Sequence, residues 1–406
     1  MEVPVTIRFF TEGGLTIPVA RTLAAQSRAT VHVDAIPGLE ATAVAAEITS
    51  ENGQLLAVER TMFWDATWYA GHTAAAQAAP ATEWYFAEGA QGFFDTYILV
   101  NNPNATPTGV TFTFLREADT PVTKTVTVDP RSRFTLGTGT IPELIDRAFS
   151  IVVSSVQPVT TDRAMYFGTT PERLWGGGTA SSGSVLSSQW YFAEGATGSF
   201  FDTFLLLGNP AAQDAHVTIT YLLDTGETVT ASETVPANSR LTINPEAGAD
   251  ERLKHAAFAT QITSDAAIVA ERSMYWPGKA LPWGEAHNMT GFVAPGVTWD
   301  LAEGRDGGEH DFHTYILLAN PQTAAANVTV TFLREDGAPV MKDYTVEATS
   351  RLTIDTRDVP ELIGGAFGAR IAVMNGKPIL VERSMYWSAN GIFWAGGSNG
   401  GGVPVP

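Results

Sequence analysis

Apolar and polar residues alternate along most of this chain with the two-residue period of half-buried strands, and runs with a helical period are absent. The stretch from 190 to 276 shows the pattern most completely. Trp190-Tyr191-Phe192-Ala193-Glu194 is a short alternating run, followed by a Gly/Ser turn at 195–199. Residues 201–207 are nearly all apolar and stop at Gly208-Asn209-Pro210, where proline cannot continue a central ladder. Residues 216–222 alternate strictly, Asp224-Thr225-Gly226 supplies a hairpin turn, and 228–235 alternate again. Pro236-Ala237-Asn238 turns the chain into 239–243, the polar stretch 250–254 holds one helical turn, and 258–262 and 267–276 are predicted as a last pair of strands. About seven short strands, separated by Gly, Pro, Asn and Asp, predict an antiparallel immunoglobulin-like β-sandwich.

The pattern recurs. Trp84-Tyr85-Phe86-Ala87-Glu88-Gly89 matches Trp190-Tyr191-Phe192-Ala193-Glu194-Gly195 and, less closely, Trp299-Asp300-Leu301-Ala302-Glu303-Gly304, with spacings of 106 and 109 residues. A period this long implies tandem domains. Asn-Pro follows at Asn102, Asn209 and Asn320. A Ser-Arg step occurs four times, at Ser27, Ser132, Ser239 and Ser350. A closing strand also occurs four times, as Glu59-Arg60-Thr61-Met62-Phe63-Trp64, Asp162-Arg163-Ala164-Met165-Tyr166-Phe167, Glu271-Arg272-Ser273-Met274-Tyr275-Trp276 and Glu382-Arg383-Ser384-Met385-Tyr386-Trp387. The expected domains are 1–83, an incomplete first sandwich plus linker; 84–189; 190–298; and 299–406, with a Gly-rich C-terminal tail. One unit lacks about two strands, which leaves open edges. Either the chain belongs to a larger array or a neighbouring molecule fills the gap. An elongated row is expected. The alternative is a seven-bladed β-propeller of four-stranded blades.

Charge and composition narrow the function. The formal charge of −19 is spread along the chain, which argues against nucleic acid and anionic membranes. Cysteine is absent, so disulfides and thiolate metal sites are excluded. No run approaches the roughly 18 apolar residues of a membrane span, and Met1-Glu2-Val3-Pro4 opens without a basic leader. The preferred expectation is a mature or excised part of a longer secreted chain.

Candidate chemistry rests on three groups. Alternation puts Val381, Arg383, Met385 and Trp387 on one inward face, so Arg60, Arg163, Arg272 and Arg383 need buried partners. The carboxylates of Glu88, Glu194 and Glu303 are the candidates. Pairing within a unit gives Glu88–Arg163, Glu194–Arg272 and Glu303–Arg383; pairing across the linkers gives Arg60–Glu88, Arg163–Glu194 and Arg272–Glu303. A hydrolytic reading of the same glutamates would pair Glu88 with Asp95, or Glu194 with Asp202, but His313 replaces the Asp in the last unit. The second group is Asp306, Glu309, His310, Asp311 and His313, the one cluster that mixes acids with two histidines; its spacing matches no strong metal motif, and a solvated hairpin tip is the plainer reading. The third is Trp68, Tyr69, Trp175, Trp283 and Trp394, which follow the closing strands and would either pack domain junctions or stack on sugars. No nucleophile elbow, phosphate loop or dinucleotide fingerprint occurs. The sequons at Asn104, Asn288 and Asn327 are expected by chance in a Thr-rich chain.

The run Trp-Tyr-Phe-Ala-Glu-Gly, then Phe-Asp-Thr-Phe-Leu-Leu-Leu-Gly-Asn-Pro, Val-Pro-Ala-Asn-Ser-Arg-Leu-Thr-Ile and Ile-Val-Ala-Glu-Arg-Ser-Met-Tyr-Trp resembles a repeat module of uncharacterised bacterial secreted and cell-surface proteins. The resemblance implies an extracytoplasmic setting and a multi-domain parent, and no activity. The expectation is a non-enzymatic structural or adhesive protein without a cofactor, assembling head-to-tail into a filament by completing the truncated repeat. Its partners would be copies of itself, neighbouring domains of a longer chain or glycans; the alternative function is a carbohydrate-binding array.

Overall fold

The computed structural model describes residues 1–170, 174–277, 283–335 and 337–405. It is a set of four β-sandwich units with short 3-10 turns between strands. In the second unit, one sheet holds Val122–Val128, Thr108–Arg116, the start of Phe149–Phe167, and Ala81–Phe86. The other holds Ser132–Gly137, Phe94–Asn102, the end of Phe149–Phe167, and Gly177–Ser182. The third unit repeats this order. The expected last pair of strands is therefore one strand, Phe258–Trp276 there and Phe149–Phe167 in the second unit. A register shift between Ser154 and Val159 lets the strand leave one sheet and enter the other, the usual device where a strand turns a sandwich corner. The fourth unit splits the same path into Phe367–Val373 and Leu380–Ala389.

Each sandwich has its own core of alternating inward side chains. In the second unit it contains Trp84, Phe86, Ile98, Val100, Phe112, Phe114, Phe149 and Ile151. Burying side chains of this size contributes about 1.5–3 kcal/mol each. The asparagine of each Asn-Pro is more than a turn former. Asn209 is fully buried, and its amide donates to the carbonyls of Gln213, Val235 and Pro236 at 2.8, 3.0 and 3.2 Å. Asn102 and Asn320 make the same three bonds. One side chain thus satisfies the carbonyls where two strands end.

Two expectations are corrected. The Gly-rich stretches after the closing strands are strands themselves: Gly71–Ala75, Gly177–Ser182, Glu285–Thr290 and Ile392–Gly401. The C-terminal tail belongs to the fold too, since Val403 pairs with Asp300 and Pro404 with Trp299. These four strands touch in cyclic order: first with second, second with third, third with fourth, and fourth with first. An elongated row would keep the end units apart. Here Arg383 of the last unit is 2.9 Å from Glu59 of the first, and Arg28 of the first is 3.2 Å from Glu335 of the last. A head-to-tail contact repeated with a closing rotation makes a ring, and this one closes at four. Nor are there seven propeller blades, because the long closing strands run through both sheets of their units.

Glycine is required where the axial strands crowd. A Cβ on Gly177 would lie 2.7 Å from the Gly284 carbonyl oxygen and 2.9 Å from the Glu285 carboxylate of the third unit, and one on Gly178 would lie 2.9 Å from the Trp64 ring of the first.

Candidate functional site

The closing strands explain how the units hold one another. From 268 to 276 every residue is buried, the mark of a strand covered on both faces. One face of this strand meets the second unit and the other meets the fourth.

At the second–third junction, Arg163 lies 3.1 Å from Glu88 of its own unit and 2.8 Å from Glu271 of the next. Glu271 also accepts the Glu88 backbone N–H at 3.1 Å. Tyr275 donates its hydroxyl to Glu88 at 3.0 Å, and Asn288 donates to Glu88 at 3.0 Å. The third–fourth junction repeats the set. Arg272 is 3.1 Å from Glu194 and 2.7 Å from Glu382; Ser384 and Asn399 donate to Glu194 at 2.5 and 2.8 Å. At the fourth–first junction, Arg383 is 2.9 Å from Glu59 and 3.5 Å from Glu303, and Thr61 donates to Glu303 at 2.7 Å. The register of the opening glutamates is thus the within-unit one, with a second carboxylate added from the neighbour.

Burial, the largest influence, raises Glu59, Glu271 and Glu382 above the ordinary carboxylate range, and the arginines pull them back. Each cluster carries two carboxylates on one guanidinium, so the excess charge depends on the Tyr, Ser, Asn and backbone donors. The first–second junction differs. Arg60 is 3.6 Å from Asp162, with side chains 41% and 33% exposed, and among the described residues no opening glutamate pairs with it.

The Ser-Arg steps form an outer ring of inter-unit contacts. Arg133 reaches Glu12 at 3.4 Å, Arg240 reaches Glu117 at 3.7 Å, and Arg351 donates to the Gly195 carbonyl at 3.2 Å. At the centre stands Glu285. It accepts from Gly71 N–H at 3.1 Å, Gly178 N–H at 2.7 Å and Ala286 N–H at 3.0 Å, so one carboxylate ties three units. Burial pushes its pKa well up. Burial also lowers His72 to about 3 and His287 well below its usual value. Both are neutral and hydrogen-bond the next unit's tyrosine, Tyr166 at 3.3 Å and Tyr386 at 3.2 Å.

The candidate aromatics lie at the same junctions and are partly buried rather than set in an exposed row. Trp68 stacks on Phe63 at 4.4 Å and on His310 at 4.7 Å. Trp175 stacks on Tyr166 at 4.2 Å, and its carbonyl accepts the Tyr69 hydroxyl at 3.0 Å. Trp283 stacks on Tyr275 at 4.3 Å, and Trp394 on Tyr386 at 4.3 Å.

The mixed acid–histidine cluster does not converge. Asp306 is buried and accepts from Thr314 N–H and the Thr356 hydroxyl. His313 bonds Asp355 and Tyr315, Asp311 bonds Arg357, and Glu309 is exposed. Among the described residues no three His, Asp or Glu side chains gather as metal ligands. The hydrolytic pairs are also engaged elsewhere: Glu88 and Glu194 are buried with arginines, Asp95 holds Gln91, and Asp202 accepts the Trp283 N–H. Of the sequons, Asn288 is buried in the second–third cluster and Asn327 is exposed.

Sequence reasoning missed Glu59, Glu271 and Glu382, the partners donated by the next unit. Their signal was an acid directly before the arginine of every closing strand. Glu285 had no signal, since its three counterparts are Ala70, Gly177 and Gly396.

No protein-family description matches the sequence, and no curated protein matches it. Solved structures similar to it include Thermotoga maritima 1070, at 19% identity over 26% of this chain and 94% of that one, with a TM-score of 0.24. The Anabaena sensory rhodopsin transducer matches at 30% identity over 21% of this chain and 95% of that one, TM-score 0.20. A tetra-tandem repeat from the extending region of a large adhesion protein matches at 14% identity over 98% of this chain and 91% of that one, TM-score 0.13. Likeness at these scores carries no argument about function. Among the described residues, no helix is long and apolar enough to cross a membrane.

Proposed function

We propose that the chain is a non-enzymatic structural and adhesive component of a bacterial cell surface or extracellular assembly, with the ring of four sandwiches as its rigid body. The observation that carries this reading is where the buried charge goes. Arg163, Arg272 and Arg383, each fully buried, bind unit to unit. Buried polar groups of this kind in an enzyme would be aimed at a cleft; these are aimed at neighbouring units. The reading agrees with the resemblance to secreted repeat modules. Antibody labelling of intact and lysed source cells tests it: label on intact cells is expected, and label only after lysis overturns it.

A further inference from the structure

Each of the four axial strands, Gly71–Ala75, Gly177–Ser182, Glu285–Thr290 and Ile392–Gly401, is ladder-paired on one edge only, with the closing strand of its own unit. The bonds at the end of each ladder fix which residues use that edge: Ala76 N–H donates to the Val58 carbonyl, Gly183 to Thr161, Gly291 to Ala270 and Gly402 to Val381. In an antiparallel pair every second residue faces the partner strand with both its N–H and its C=O. Residues 72 and 74, 179 and 181, 287 and 289, and 398 and 400 therefore face the closing strands. Gly71 and Thr73, Gly178 and Ala180, Ala286 and Asn288, and Gly397 and Asn399 turn both groups the other way, and all eight are buried. The other way is the ring axis. Glu285 accepts the N–H groups of Gly71, Gly178 and Ala286, so the free edges of three units meet on one carboxylate. The cyclic order of the strands brings the edge at Gly397 to the same place. No ladder joins one axial strand to another. The carbonyls of Gly71, Gly178, Ala286 and Gly397 thus point at a buried axis without a ladder partner, where backbone polar groups need one.

We propose that these four carbonyls bind a monovalent cation of potassium's kind on the ring axis, beside the Glu285 carboxylate. Rings of backbone carbonyls replace the hydration shell of such ions. Glu285 supplies the second reason. It is 1% exposed, among the described residues no Lys or Arg pairs with it, and the axial His72 and His287 are neutral. A buried carboxylate without a counter-charge is costly. A proton neutralises it at low pH; a bound cation does so without one. Charge sets the valence, since one carboxylate and four neutral carbonyls balance a single positive charge, and a divalent ion would leave a surplus. Width sets the size. The carboxylate reaches Gly71 of the first unit at 3.1 Å while staying 3.0 Å from Ala286 N–H of its own, so the axis takes a group as large as a carboxylate. Gly71, Gly178 and Gly397 place no side chain between the strands there. The stoichiometry accounts for the lone acid as well: one cation needs one counter-ion, and the positions equivalent to Glu285 are Ala70, Gly177 and Gly396.

The test is thermal melting of the full chain in potassium chloride and in tetramethylammonium chloride at equal ionic strength, so that screening is the same in both. A saturable rise in Tm with potassium is expected, about 3 °C when potassium stands about 100-fold above its Kd and the ring melts as one body. The rise should vanish in Glu285→Gln. Equal melting in the two salts overturns the proposal. So does a rise that Glu285→Gln leaves intact, because the cation then sits elsewhere. Thallium(I), which substitutes for potassium and scatters anomalously, gives a readout that needs no variant. In crystals of the unaltered chain grown with thallium(I), an anomalous peak is expected on the axis between the four carbonyls and Glu285. Density at that point without an anomalous signal is water, and overturns the cation site.

Discussion

Replacing Arg272 by Met keeps an apolar stem of similar length and removes the charge shared by Glu194 at 3.1 Å and Glu382 at 2.7 Å. Glu382 would retain Ala193 N–H at 2.6 Å and Asn399 at 3.3 Å as donors. Removing one partner of a buried pair costs about 3–5 kcal/mol. Unfolding entropy near 60 °C is about 2.1 cal/mol/K per residue, so if all 406 residues melt together Tm should fall by about 4–6 °C. If one unit of about 100 residues melted alone, the same cost would lower its transition by about 14–24 °C. The size of the shift therefore reports whether the ring unfolds as a single body, which cannot be assumed for a multi-unit chain. Burial already raises Glu382, and Arg272 pulls it down; without Arg272 it should rise further. A carboxyl raised in the folded state contributes stability that is fully present below its unfolded pKa and lost as pH rises through the folded one. The deficit of the variant should thus be smallest near about pH 4.5 and grow toward about pH 8. Calorimetry at both pH values is the assay. A deficit under about 1 kcal/mol, or one equal at both pH values, would mean that the cluster behaves as a solvated surface pair and would refute the reasoning.

Arg60→Met should change stability by no more than about 1 kcal/mol, while Arg383→Met should cost about 3–5 kcal/mol; equal losses in chemical denaturation would contradict the difference in burial between the two sites. Asn209→Ala removes the donor to three carbonyls and should cost at least about 1–3 kcal/mol, with Asn209→Asp no better because a carboxylate cannot donate; thermal melting compares them. Gly177→Val should cost about 1–3 kcal/mol or more through overpacking against Gly284 and Glu285 of the third unit, and a chain that melts unchanged would show that these axial strands are not in contact. Burial holds the folded pKa of Glu285 well above its ordinary value, so the wild type should lose stability as pH rises through it; Glu285→Gln should flatten this loss, read as Tm against pH.

The sandwich was legible because each strand writes its inward face locally. The alternation at 216–222 and 228–235 needs no knowledge of the rest of the chain, and these residues form Ala215–Leu223 and Thr228–Val235. The opening glutamates were legible for a related reason: Glu88 shares a face with Trp84 and Phe86, and a carboxylate among core aromatics requires a cation. The single long closing strand was less legible. Polar residues at 264 and 265 look like a turn, and only the crossing between sheets makes them the corner of one strand.

Ring closure was not legible, and the reason is physical. In Glu271-Arg272-Ser273-Met274-Tyr275-Trp276, alternation separates Arg272, Met274 and Trp276 from Glu271, Ser273 and Tyr275. The second set looks like a solvent face, because polar residues are cheap to leave in water and expensive to bury alone. Its burial is tolerable only because another unit supplies Arg163, Glu88 and the Glu88 backbone N–H at the right place. No local window contains both halves of that arrangement; Arg163 and Glu271 are 108 residues apart. The glycines after each closing strand carried the missing information in another form. A solvent-facing linker gains flexibility from Gly, but a strand packed at an axis needs Gly because a Cβ would strike its neighbour, as at Gly397, where it would lie 2.7 Å from the Trp276 ring of the preceding unit. The two causes leave the same letters in the sequence. What separates them is the acid placed before the arginine in all four closing strands: a face that repeats Glu or Asp beside a core arginine, next to a glycine-rich strand, is built to meet the arginine of another unit, and four such units in one chain are enough to close the ring.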